Sequence, residues 1–96
     1  MKKISLDLLK EKQNSQKLYE EIIFGNLENV KKIMDENKID PHIYEDDPLC
    51  LAVDENQLDV VKYFIEEQNA IISAQKNYPI KSAFKHGYPE ILDYLV

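Results

Sequence analysis

The chain has no arginine and no tryptophan, one cysteine, two glycines and four prolines, and no apolar run near the roughly 20 residues of a membrane-spanning helix. Each shortage excludes something. Without arginine there is no planar fork to grip phosphate or carboxylate in bidentate fashion. A single cysteine, Cys50, rules out an internal disulfide and suits a reducing, cytoplasmic (intracellular) setting. With only Gly25 and Gly87, no glycine-rich phosphate loop can be built. Lys2 and Lys3 are followed by no apolar stretch, so neither a signal peptide nor a membrane attachment is expected.

Positive charge is also in short supply. Twelve lysines face 18 carboxylates, for a net charge of −6. Binding to a phosphate backbone needs clustered positive charge, so nucleic acid is not an expected partner. A basic protein is the partner that this balance favours. At 96 residues the chain makes one domain, and 44% hydrophobic residues suit a folded core.

What the chain does have is a repeat. A shift of 31 positions lays Pro48 on Pro79, Leu49 on Ile80, Ala52 on Ala83, Val53 on Phe84, Asp59 on Glu90 and Tyr63 on Tyr94. The same shift in the other direction lays Leu49 on Leu18, Val53 on Ile22, Val61 on Val30 and Lys62 on Lys31. Three copies thus align, apolar on apolar and acidic on acidic.

Each copy reads as two short helices. In the middle copy Pro48, Leu49, Ala52 and Val53 share one helical face, and Asp47 before Pro48 is an expected N-cap. Asn56 ends that helix, at the place held by Gly25 and Gly87 in the other copies, all three being residues that tolerate left-handed backbone. The second helix buries Leu58, Val61, Phe64 and Ile65. Residues 35–47 and 66–78 read as polar loops, with short extended pieces expected at 39–43 and 70–73.

The stretch from Asp46 to Ile65, and its repetition from Tyr78 to Val96, resembles the ankyrin repeat. The family's Thr-Pro-Leu-His opening, pair of small residues, glycine turn and Leu-Glu-Val-Val helix fall on Asp47–Pro48–Leu49–Cys50, Ala52–Val53, Asn56 and Leu58–Asp59–Val60–Val61. The resemblance implies an all-α, ankyrin-like solenoid of about three helix-turn-helix repeats, divided as an N-terminal helical lid (1–16), repeats at 17–47 and 48–78 and a partial repeat at 79–96. Ile4, Leu8 and Leu9 are spaced for the lid's apolar side. The period is two residues short of the family's, so short finger loops are expected. Cys50 and Lys81 stand where the family has histidine, so the family's loop-to-loop hydrogen bonds are not expected. Glu21 replaces a small buried alanine, which requires solvent on the outer side of the first pair. The last helix breaks off at Leu95–Val96 without a polar capping pair, which fits a fragment, a frayed end or a weak homodimer through that end.

The resemblance also implies a non-enzymatic protein-binding module, working through finger tips and the exposed sides of the first helices. Those places map to Ile43, Tyr44, Glu45, Asp46, Gln75 and Asn77 in the fingers, and to Ile23, Phe24, Asp54, Glu55, Lys85 and His86 on the helices. Asp46, Asp54 and Glu55, with Glu45 beside them, are expected to form an acidic surface, and Tyr44 an aromatic anchor. An alternative use of the same face is inhibition: a small acidic chain such as an immunity protein, an antitoxin or a viral antagonist could block a cationic enzyme, a nuclease for example.

No cofactor, metal site or catalytic set is expected. His42 and His86 lack ligand-spaced companions, and no lysine or histidine near Cys50 in sequence lowers its pKa. Ser73 or Ser82 with His86 and Asp93 is the one nucleophilic trio available, and neither serine sits in an elbow motif. The pairs Glu20–Glu21 and Asp46–Asp47 are adjacent and so diverge.

Overall fold

Left-handed backbone marks the repeat more sharply than the side chains do. In the computed structural model, which describes the backbone of residues 4–96 and the side chains of residues 13–96, every positive-φ position recurs at the 31-residue interval. Gly25, Asn56 and Gly87 form one set; Lys38 and Asn69 a second; Tyr44, Glu45 and Asp46 recur as Gln75, Lys76 and Asn77. The first set closes each helix pair. Gly25 at φ 75°, Asn56 at φ 58° and Gly87 at φ 71° turn the chain so that backbone N–H groups satisfy the last carbonyls of the helix before.

Three helix pairs follow: α1 (Ile4–Phe24) with α2 (Leu27–Asn37), α3 (Ile43–Asp54) with α4 (Leu58–Glu67), and α5 (Ala74–His86) with α6 (Pro89–Leu95). The helix α2 starts where Asn26 accepts from the backbone of Asn29 at 3.1 Å, and it turns Val30 and Met34 inward. In α4 the inward residues are Val60, Val61, Tyr63 and Phe64. Helices α1, α3 and α5 lie side by side as one layer; α2, α4 and α6 form the other. Between the layers runs one continuous core from Leu18 and Ile22 through Leu49, Val53 and Phe64 to Ala83, Ile91 and Leu95. Ala52 and Ala83 are fully buried where the first-layer helices approach closely. Glu21, their counterpart, is half-buried and accepts from Asn29 Nδ2 at 3.2 Å.

The structure corrects two expectations. No strand forms among the described residues, at 39–43, 70–73 or elsewhere. Each finger instead winds through three left-handed residues, which reverse the chain without a hairpin ladder. That shape fits loops two residues short of the family's. Asp47 is not an N-cap: the right-handed part of α3 is preceded by the left-handed turn, and the Asp47 carboxylate accepts from Tyr19 of α1 at 3.0 Å and Gln75 of α5 at 3.5 Å. The backbone of residues 4–16 is helical and continues without a break into the first pair, as α1 runs to Phe24. The packing expected of Ile4, Leu8 and Leu9 lies outside the described residues.

Candidate protein-binding face

The finger loops are tied to one another by Asp46 and Gln75, two residues that the sequence assigned to the binding face and not to this internal role. Asp46 is 2% exposed. Its Oδ1 meets His42 Nδ1 at 2.7 Å and accepts the backbone N–H of Ile71, in the next finger, at 3.3 Å. Gln75 reaches back and donates through Nε2 to the carbonyls of Tyr44 at 3.2 Å and Glu45 at 3.1 Å. A glutamine and an aspartate thus do the work of the family's loop histidines. They also hold three non-glycine residues in left-handed backbone, a conformation that costs about 1 kcal/mol or more per residue when unsupported.

On this tied turn stands Tyr44, 76% exposed. The other five tyrosines each have a hydroxyl partner: Asp47 for Tyr19, Gln68 for Tyr63, Asp54 for Tyr78, the Asp54 carbonyl for Tyr88 and Glu66 for Tyr94. Tyr44 has none among the described residues. Glu45 beside it is exposed, as are Ile71 and Ile72 on the neighbouring finger. That isoleucine pair was missed in the sequence; its signal was two apolar residues inside an otherwise polar loop.

The expected acidic surface does not assemble. Asp46 points inward, and Asp54 is half-buried and committed to the next pair: it accepts from both Tyr78 OH, at 2.9 Å, and Ser82 Oγ. The exposed carboxylates that remain, Glu45 and Glu55, sit at opposite ends of α3. Of the other mapped positions, Ile43 and Gln75 are half-buried, while Asn77, Lys85 and His86 are exposed. Ile23 is exposed too, and Phe24 is 77% exposed at the end of α1, where Gln57 Nε2 donates to the Ile23 carbonyl at 3.0 Å.

Among the described residues, Cys50, Ser82 and His86 are engaged in packing or hydrogen bonds within the stack. Burial, and then the carboxylates of Asp47, Asp54 and Asp46, push the Cys50 thiol up to about 12. Ser82 is 4% exposed and gives its proton to Asp54. His86 Nδ1 lies 2.9 Å from the Ser82 carbonyl and 3.2 Å from Ser82 Oγ, and its ring stacks on Tyr88, so the order is acid–serine–histidine and not the serine–histidine–acid order of a hydrolytic triad. Asp93 is exposed on α6. Among the described residues no three of His, Cys, Asp and Glu converge as a metal site. No described helix is long and apolar enough to cross a membrane.

The two-layer stack of helix pairs joined by finger turns defines the class as an all-α helical repeat solenoid. The family model for ankyrin repeats matches residues 18–96 as three copies, and the chain belongs to that family. Ankyrin repeats are, in general, protein–protein interaction modules, and the family is typically non-enzymatic. No curated protein and no solved structure matches the chain at a significant level.

Proposed function

We propose that this chain is an intracellular, non-enzymatic binding module that captures a basic protein on its finger face, with Tyr44 as the anchor. The observation that carries the reading is the presentation of Tyr44. Its ring is the most exposed aromatic on the fingers, its backbone is fixed by Gln75, and Glu45 lies next to it. A backbone fixed before contact reduces the ordering entropy lost on binding, and an aromatic ring beside a carboxylate suits an arginine- or lysine-bearing surface. Ile71 and Ile72 extend the contact with apolar area. The net charge of −6 adds attraction at long range.

Capture from lysate, at low and at moderate salt, by the wild-type chain and by the Tyr44→Ser, Glu45→Gln double variant tests this. Both side chains are exposed, so the variant keeps the helical signal. The expected result is a basic protein retained by the wild type, released as salt rises and lost from the variant. An unchanged retention profile would place recognition elsewhere. An enzymatic partner whose activity falls when bound would establish the inhibitory use of the same face.

A further inference from the structure

The two fingers share a backbone path but differ in what closes it. At the 31-residue interval His42 and Asp46 of the first finger fall on Ser73 and Asn77 of the second. In both, the N–H at the end of the left-handed run donates to the carbonyl four residues before it: Asp46 to His42 at 3.3 Å, Asn77 to Ser73 at 3.0 Å. Among the described residues, the first finger alone adds a side-chain contact between these two ends, with His42 Nδ1 2.7 Å from Asp46 Oδ1. That contact brackets Tyr44 and Glu45 and shuts the turn that presents them. The same oxygen accepts the N–H of Ile71 at 3.3 Å, so it also ties the first finger to the second.

The two partners sit in different surroundings. The Asp46 side chain is 3% exposed, whereas that of His42 is 40% exposed and exchanges protons with water. A carboxylate stripped of its hydration depends on what its partners supply. Protonated imidazole carries a full positive charge and an N–H on both ring nitrogens, so its bond to the carboxylate is charge-assisted. Neutral imidazole keeps the bond only in the tautomer with its proton on Nδ1, and then without that assistance. The contact is therefore stronger while His42 is protonated and weaker once the proton is lost.

The groups around the pair leave this change to His42. Asp40, in the preceding loop, accepts the His42 backbone N–H at 2.9 Å. On α3, Glu45 and Asp47 flank Asp46, and Cys50 feels its charge. Tyr19 of α1 and Gln75 of the next finger are both bonded to Asp47, and Lys76 beside Gln75 is exposed. Of these side-chain types, histidine is the one that ordinarily changes charge between about pH 5 and 8. Burial and nearby carboxylates push the Cys50 thiol up to about 12, and burial with Asp47 raises Tyr19 above its ordinary value.

We propose that the His42–Asp46 pair is a pH-sensitive latch on the first finger. Closed while His42 is protonated, it fixes residues 44–46 and their tie to Ile71; it loosens as His42 loses its proton. The latch's use in recognition rests on the reading of Tyr44 as the anchor, which is then held most firmly on the acid side. The second finger, with Ser73 and Asn77 at the matching places, has no titratable pair there and serves as an internal control.

Nuclear magnetic resonance of the 96-residue chain without any partner, titrated from about pH 5 to 8, tests the latch separately from the anchor. The amides of residues 44–46 and Ile71 are expected to shift with the midpoint of the His42 ring. Order parameters at residues 44–46 should fall above that midpoint from about 0.85 towards 0.6, while those at residues 75–77 stay level. His42→Gln, a neutral donor at an exposed position, keeps the helical signal and removes the response, whereas the ring of His86, at the far end of α5, titrates as before. Finger amides that ignore the His42 midpoint overturn the proposal. So do order parameters that stay level in the wild type, or a response that survives in His42→Gln. If that variant fails to fold, the comparison of the two fingers in the wild type decides. Capture of a partner through another surface would remove the anchor reading and leave the latch standing.

Discussion

Asp54 shows how one side chain can change meaning between sequence and structure. In the sequence it belongs to an acidic surface; in the structure its carboxylate receives Tyr78 and Ser82, and its carbonyl receives Tyr88. Asp54→Ala leaves the nearly buried Ser82 hydroxyl without its acceptor, at a cost of roughly 2 kcal/mol. The expected outcome is an intact helical spectrum with a lower melting temperature. Replacing Asp46, Asp54 and Glu55 together would therefore damage the fold, and could not isolate a binding role. Cys50 gives a second residue-scale prediction. Buried among carboxylates, its thiol stays protonated, so iodoacetamide near pH 8 should leave the native chain unmodified and label it fully in denaturant. Rapid labelling of the native chain would mean that the packing around α3 is wrong.

At the scale of elements the turns are the sensitive points. Gly25 and Gly87 occupy equivalent left-handed positions, yet an added Cβ meets different surroundings. At Gly87 it meets nothing within 4 Å; at Gly25 it would lie 2.3 Å from Gln57 Oε1. Gly87→Ala is expected to cost about 1 kcal/mol from backbone strain alone. Gly25→Ala should cost more, because it also displaces the side chain that bonds the Ile23 carbonyl. Chemical denaturation of the two variants checks the order. The fingers depend on Gln75 in a different way. Gln75→Ala removes the donor to the Tyr44 and Glu45 carbonyls, and backbone order parameters at residues 44–46 should then fall below about 0.6 while the helices are unaffected. The helix pairs and their αL stops were legible, because periodicity and a Gly or Asn at a fixed place are local signals. The finger conformation was not, because it depends on a glutamine 30 residues away.

For the molecule as a whole, stability rests on contacts between neighbouring pairs. Ala83, fully buried, is the tightest test: Ala83→Asp puts a charge between close helices and should unfold the chain. High pH acts on the whole stack as well. The folded state holds protons on Cys50 and Tyr94 up to about 12, Cys50 by burial and nearby carboxylates, Tyr94 by burial and its bond to Glu66, and it raises Tyr19, Tyr63 and Tyr78 above their ordinary value. The unfolded chain releases the same protons from the ordinary values of 9.0 and 10.0 upward. The unfolded state then binds fewer protons than the folded one, so stability falls as pH rises. The melting temperature should decline as pH rises above 9; a flat profile from pH 9 to 11 would contradict the buried hydroxyl and thiol network.

The division between what was readable and what was not follows the range of the forces involved. The repeat, the helix pairs, the places where the chain turns and the family could all be read from the order of residues. These depend on apolar spacing and on backbone preferences that act within a few residues. That Asp46 and Asp54 are turned to internal partners while Tyr44 is presented, and that Gln75 anchors a neighbouring finger, emerged only from the stacking of the pairs. A carboxylate looks the same in sequence whether water or a tyrosine of the next repeat satisfies it. What distinguishes the two is a partner about 30 residues away, placed there by the stacking of the pairs.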